Sequence, residues 1–363
     1  MKRRKFLKTL GGGAVGAGLL PTTLLQGCGG GEELPPAEFT AWTWVHGGAD
    51  RTPEEWLTRF TQLEESGFHA VLVSGGDIDV LSAAAHSAGL EFHRWMWILN
   101  RNGDRWAMEN HPEWFTVNRN GNSTLDVPPY VDYYRWVCPT RAPVREYLNG
   151  LIGEVAADDR IDGVHLDYIR HSDVILPRGL WDKYDLIQDV EHPEFDYCYC
   201  DVCRGTFEAE HGIDPMTLDD PPSNEAWVRF RWDSVTRLVT ELTETVHSYD
   251  KPISAAVFPG PSLARRLVRQ SWDEWPVDML FPMLYNSFYL EDLEWIGAMT
   301  SEGVTAVTRS GATLRSGLYL PDLTPAQLAE AIRVSRNAGA AGVSTFEMNG
   351  LTDEHLAVIR AAL

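Results

Sequence analysis

Two groups of residues have the types and spacing to do chemistry. The first is the run Gly163-Val164-His165-Leu166-Asp167-Tyr168-Ile169-Arg170. Read as a β-strand, its alternation puts Val164 and Leu166 on one face and His165 and Asp167 on the other. If the apolar face packs on helices, Asp167 is left partly desolvated. Such a carboxylate has to be hydrogen-bonded, paired with a cation or used chemically. Arg170 is the nearest cation, and an Asp167–Arg170 ion pair that only orders a loop is the structural alternative. The second group is Cys198-Tyr199-Cys200-Asp201-Val202-Cys203, with Cys138 upstream. Tetrahedral zinc takes four thiolates at about 2.3 Å, and close spacing lets one loop supply several of them. A closed four-thiolate site is structural, because catalytic zinc keeps a position open. Disulfides and free thiols are the competing readings for these cysteines.

Positioning these residues requires a scaffold, and from Phe39 onward short β-rich runs alternate with helix-patterned segments. Eight strands are expected: 39–45, 69–74, 91–99, 162–168, 252–258, 277–285, 304–308 and 341–347. Thr52-Pro53-Glu54-Glu55 and Thr324-Pro325 have the N-cap and first-turn proline of helix starts, and Gly339 marks a helix end. Eight βα units in 38–363 predict one α/β domain, a (β/α)8 TIM barrel whose longest loops follow strands three and four. No Gly-rich dinucleotide fingerprint follows any strand. In such a barrel the functional residues lie where strands end. Asp167 then opens at the mouth. Glu347 does so at the tip of strand eight, with Trp44, His46, His93, Trp95, Tyr285 and Asn286 at other strand ends.

The chain has 31 Lys+Arg against 52 Asp+Glu, a net charge of −21. That argues against a nucleic-acid partner, which would demand cationic side chains for the phosphates. Residues 1–27 hold Lys2, Arg3, Arg4, Lys5 and Lys8 and no acid, followed by a Gly/Ala/Leu stretch. They are expected to be an export signal that takes no part in the fold. Arg3-Arg4 with Phe6-Leu7-Lys8 resembles a twin-arginine signal. Leu25-Gln26-Gly27-Cys28 resembles a lipobox, which implies lipidation at Cys28, a flexible tether over 28–37 and a membrane-anchored lipoprotein, periplasmic or at the cell surface. The alternative is a cleaved secretory peptide. The 14 tryptophans suggest aromatic binding surfaces.

Three stretches in order, His111-Pro112-Glu113-Trp114, Pro143-Val144-Arg145-Glu146-Tyr147-Leu148 and Asp162 to Arg170, resemble the family-10-like glycosyl hydrolases. Phe92-His93-Arg94-Trp95, Gln270 to Trp275 and Val277 to Tyr285 support the likeness, which spans most of the chain beyond the export signal. The resemblance implies a barrel that cleaves or binds a glycan, a polysaccharide or oligosaccharide, with Asp167 as its most suggestive acid. Cleavage calls for two carboxyl groups. Glu347 is the expected second, with Asp77, Asp273 and Glu274 as competitors, and Glu347 binding a sugar hydroxyl or capping a loop as the bland reading. The fifth strand ends in Phe258-Pro259 with no acid, a departure that favours the alternative of a non-catalytic glycan-binding lipoprotein. Trp44, Trp95 and Tyr285 are expected to stack on sugars, and His93, His165, Arg170 and Asn286 to contact hydroxyls. His93 reads equally as an interior histidine. Arg265, Arg266 and Arg269 supply either local positive charge or a solvated helix face. The cysteine pattern is similar to the zinc clip of family-42 β-galactosidases, which implies a clasp between the loops after strands three and four.

Overall fold

The computed structural model describes residues 39–48 and 50–363. The expected export signal, Cys28 and the tether lie outside the described residues. Eight parallel strands close into a barrel in chain order: β1 (Thr40–Gly47), β2 (Phe68–Gly75), β3 (Glu91–Trp97), β4 (Gly163–Asp167), β5 (Ile253–Val257), β6 (Met279–Pro282), β7 (Thr313–Tyr319) and β8 (Gly342–Phe346). β8 pairs back onto β1, Thr40 opposite Gly342. This is the (β/α)8 barrel the alternation predicts. Both Thr-Pro sites open helices with complete capping boxes, at Pro53–Glu64 and Pro325–Asn337. Gly339 follows the second helix with φ +91°, where a side chain would be strained.

One strand is misplaced by the sequence reading. The β-branched cluster at 304–308 ends the helix Leu293–Ala306 and continues into the turn Val307–Arg309. Thr305 and Thr308 donate their hydroxyls back to the carbonyls of Ser301 and Val304, so these residues satisfy themselves inside a helix. The true β7 is masked by Arg315 and Gly317. Arg315 lies over the Trp42 ring at 4.9 Å. Gly317 sits where a Cβ would meet the Pro282 carbonyl oxygen at 2.8 Å and the Trp44 ring at 3.2 Å. Glycine there reads as a turn in sequence, yet the barrel interior requires it.

Period-two alternation sorts the strands. Val164 and Leu166 point outward into one cluster with Leu148, Ile152, Leu238 and Leu242 of the helices Ala142–Ala156 and Glu225–His247. Inside the ring, Trp42, Trp44, Leu72, Trp95 and Phe281 pack together and fill the barrel as a solid core, as the architecture demands. Seven of the 14 tryptophans are less than 2% exposed. Tryptophan abundance therefore serves the core first, a correction to the expectation of binding surfaces.

The loops at the C-terminal mouth are unequal. After β3 the chain runs to Ala142 before its long helix, and after β4 to Glu225, with short helices on the way. After β1, β2, β7 and β8 the next helices begin almost at once, at Pro53, Ile78, Pro325 and Asp353. No helix among the described residues is long and apolar enough to cross a membrane.

Candidate active site and candidate metal centre

β4 delivers Asp167 to the rim of the barrel. The next residue, Tyr168, has φ +48°, a left-handed conformation that bulky residues avoid. It turns the chain so that the Tyr168 N–H donates to Asp167 Oδ1 at 2.6 Å. Oδ2 accepts from Trp95 Nε1 at 2.9 Å; β3 places that ring beside β4 by pairing Trp95 with His165. Burial pushes the Asp167 carboxyl up from its ordinary range. The two hydrogen bonds and the charges of Arg170 and His46 pull the other way and do not offset it.

Asp167 lies on the wall of a cavity of about 230 Å³. Trp95, Trp97, Tyr130, Tyr134, Tyr168, Tyr285 and Phe346 supply much of the rest of that wall, with His46 at one side. Tyr285 faces Tyr319 at 5.0 Å and Phe346 at 6.1 Å between ring centroids. Its hydroxyl is held well above the usual range, first by burial and then by the nearby Asp167 charge. The Tyr-rich stretch 130–134 was the unused sequence signal for this wall.

Arg170 reaches the cavity, but not as a partner of Asp167. Its Nη1 pairs with Asp173 Oδ2 at 3.0 Å and donates to the His171 carbonyl. Its guanidinium stacks over Phe258 at 4.7 Å and Trp136 at 4.9 Å. Burial opposes its charge, and Asp173 with the neighbouring tyrosines more than restores it. Asp173, which sequence reasoning missed, is thus the second carboxylate on the cavity wall, and Arg170 neutralises it. The alternative of an Asp167–Arg170 ion pair is thereby set aside.

Four expected sugar contacts lie elsewhere. Trp44 is 1% exposed, and its Nε1 donates to His165 Nε2 at 3.0 Å. The other His165 nitrogen bonds Ser254 Oγ at 2.8 Å. Because an indole only donates, His165 carries its proton on Nδ1. Burial, then His93, pushes its pKa well below the usual range, so it is neutral. Both residues belong to the filled interior. His93 is fully buried at the opposite end of the barrel, with Nε2 3.0 Å from Glu91 Oε2, which decides for its interior reading. Asn286 donates to the Glu291 carbonyl and braces its own turn. Of the expected contacts, Trp95, Arg170 and Tyr285 line the cavity.

Glu347 is not among the cavity-lining residues, but its Oε2 lies 3.5 Å from Nε2 of His46, which is. Asn349 Nδ2 donates to its Oε1 at 3.4 Å, and Oε2 is buried without a hydrogen bond. The competing acids have structural work. Asp77 caps the helix Ile78–Ala88. Both Asp273 oxygens accept from Arg265 Nη2, and Glu274 takes a two-nitrogen fork from Arg229. Arg269 is buried against Glu191, so of the expected basic patch only Arg266 is exposed.

The cysteines converge. The sulfurs of Cys138, Cys198, Cys200 and Cys203 all lie within 4.8 Å of one another, and all four residues are buried. None is joined in a disulfide. Cys138 Sγ is 3.4 Å from Cys203 Sγ and 3.8 Å from Cys200 Sγ. Metal–sulfur bonds of about 2.3 Å in a tetrahedron set the sulfurs about 3.8 Å apart, so this donor set fits a metal. Cys138 precedes the helix Ala142–Ala156, Cys198 and Cys200 belong to the loop after β4, and Cys203 lies in the first turn of Asp201–His211. The cluster therefore ties the two long loops together, next to a backbone bond from Tyr199 N–H to the Val117 carbonyl.

The chain matches no protein-family model and no curated protein. Among solved structures, it is similar to the catalytic domain of β-amylase from Paenibacillus polymyxa, with TM-score 0.63 and 10% identity over 90% of this chain and 98% of that one. It is also similar to the glycoside hydrolase domain of PgaB (BpsB) from Bordetella bronchiseptica, with TM-score 0.58 and 13% identity over 89% and 97%. A β-galactosidase from Bacillus circulans sp. alkalophilus gives TM-score 0.56 and 12% identity over 86% of this chain and 50% of that one. At such identities the likeness establishes the fold, a TIM barrel whose structural neighbours are glycoside hydrolases.

Proposed function

We propose that the protein is a glycoside hydrolase whose essential carboxyl is Asp167. The observation that carries this reading is a carboxyl group at the end of β4, facing an aromatic cavity, whose burial favours the protonated form. Glycosidic cleavage needs a proton for the leaving oxygen and a second carboxyl to activate water or attack the anomeric carbon. A carboxyl whose burial favours the protonated form suits the first task. The C–O bond breaks, water supplies the new hydroxyl, and its other proton restores the acid. Glu347 is proposed as the second carboxyl because it faces His46 on the cavity wall, whereas Asp173 is committed to Arg170. Trp95 and Tyr285 offer ring faces to a sugar. The motif resemblance to family-10-like glycosyl hydrolases and the hydrolase folds of the structural neighbours support the same reading.

The test is release of reducing ends from xylan, starch, galactan, chitosan and peptidoglycan glycan strands, run beside Asp167→Asn. The variant is expected to lose at least about 10²-fold in turnover. Undiminished turnover removes Asp167 from the mechanism. A second reading, a glycan-binding protein without catalysis, draws support from the bare end of β5, where Phe258 and Pro259 line the cavity with no acid. It requires saturable binding to one of these glycans and no product.

The thiolate cluster is proposed to hold a structural zinc, supported by its four-sulfur donor set. Elemental analysis is expected to give one zinc per chain, and chelation to lower the melting temperature. Zinc-free protein of unchanged stability rejects the metal. Export by the twin-arginine route and anchoring through lipid on Cys28 rest on residues 3–8 and 25–28. Cys28→Ser is expected to release the protein from membranes.

A further inference from the structure

The wall around Asp167 is closed on one side of the barrel and low on the other. The loop after β4 is fastened to three neighbours in turn. Tyr130, from the loop after β3, donates its hydroxyl to the Asp173 carbonyl at 2.9 Å and accepts from Gln188 Nε2 at 2.8 Å. Beyond β5, Val174 N–H bonds the Leu267 carbonyl at 2.8 Å. At the turn Arg178–Leu180 the loop meets the segment Asn286–Tyr289 that follows β6, backbone against backbone. A Cβ added at Gly179 would lie 2.6 Å from the Ser287 carbonyl oxygen and 2.8 Å from that of Phe288. Leu176, Pro177 and Leu180 on one side of this seam, and Phe288 and Tyr289 on the other, all line the cavity.

Among the described residues, nothing comparable rises on the other half. There, the segments 50–52, 76–77, 320–324 and 347–352 lead directly into helices. β1 and β8 contribute only His46 and Phe346 to the lining, and β2 and β7 contribute nothing. An internal linkage of a polysaccharide can lie across Asp167 only if the chain leaves on two opposite sides. The seam between the loops after β4 and β6 blocks one of them.

We infer that the enzyme acts on chain ends, releasing small saccharides from one terminus, and that Gly179 is the residue that lets the blocking wall close. This rests on the hydrolase reading and names the kind of substrate that site takes. At each turnover one terminal glycosidic C–O bond breaks and one water is consumed.

The test follows solution viscosity and reducing ends together, with xylan, starch, chitosan and galactan as probes. Chain-end attack releases reducing ends as mono- or disaccharides while viscosity holds. An early collapse of viscosity with few new ends overturns the inference and leaves the hydrolase reading standing. No reducing ends from any of these polymers or from peptidoglycan glycan strands overturns both. Gly179→Val, which cannot keep the seam because its clash is with backbone, is expected to raise the viscosity lost per reducing end several-fold. Thermal unfolding confirms that the variant is folded, and the product sizes from the unsubstituted protein decide the matter without it.

Discussion

Glu91, at the start of β3, lies 3.2 Å from His69 and 3.0 Å from His93 at the closed end of the barrel. Those hydrogen bonds hold its carboxyl well below the usual range, against the opposing effect of burial. Asp167, at the mouth, is pushed up instead, because burial outweighs two hydrogen bonds from an amide and an indole and charges that do not touch it. The same kind of side chain is tuned in opposite directions by whether its neighbours bring compensating charge. A barrel can afford an under-compensated acid only where loops exclude water and a ligand can supply the missing partner. On the proposed hydrolase reading, the closed end serves stability and the mouth serves chemistry.

Substitution at the two acids tests that contrast most directly. Asp167→Asn is expected to cost at least about 10²-fold in turnover, as above, and to raise the melting temperature at pH 7. Between its ordinary value near 3.9 and its raised folded value, Asp167 binds protons more tightly in the folded state. Stability therefore falls as pH rises through that window. The gain in the variant shrinks on acidification, which calorimetry from pH 4 to 7 would show. A variant less stable than the parent at pH 7 would break the comparison.

Asp173→Asn separates the two carboxylates of one cavity. Leaving Arg170 buried without its partner is expected to cost about 3–5 kcal/mol in urea unfolding. If stability is kept while turnover disappears, Asp173 and not Asp167 is the working acid. The smallest effect is expected for Glu91→Gln, whose position is half exposed. It should leave turnover unchanged and lower stability modestly at neutral pH. That loss is present above the ordinary carboxylate pKa and vanishes as pH falls toward the depressed folded value. A pH-independent loss would point to packing in place of charge.

Much of the scaffold was legible because it depends on local rules. Period-two alternation assigned the faces of β4, and the Thr-Pro signatures located helix starts to the residue. β7 escaped because Arg315 and Gly317 suit contacts made across the ring, with Trp42 and Trp44, that no local pattern records. The site was legible in part. Asp167, Trp95 and Tyr285, read from strand ends, line the cavity, while His93, His165 and Trp44 lie buried on inward positions away from its lining. Alternation tells which face a side chain takes and not how far up the barrel it sits.

By itself, the sequence determined that strands and helices alternate, that Asp167 shares the inner face of its strand with His165, and that four cysteines have metal-ligand chemistry. These follow from period, capping and spacing, which act over a few residues. Tertiary structure alone decided that Arg315 and Gly317 of β7 face Trp42 and Trp44 of β1, that Tyr130 bonds the Asp173 carbonyl, and that Gly179 closes against the segment after β6. Each of those choices is a contact between distant segments. Its energy depends on desolvation and shape that exist only once the ring of strands has closed.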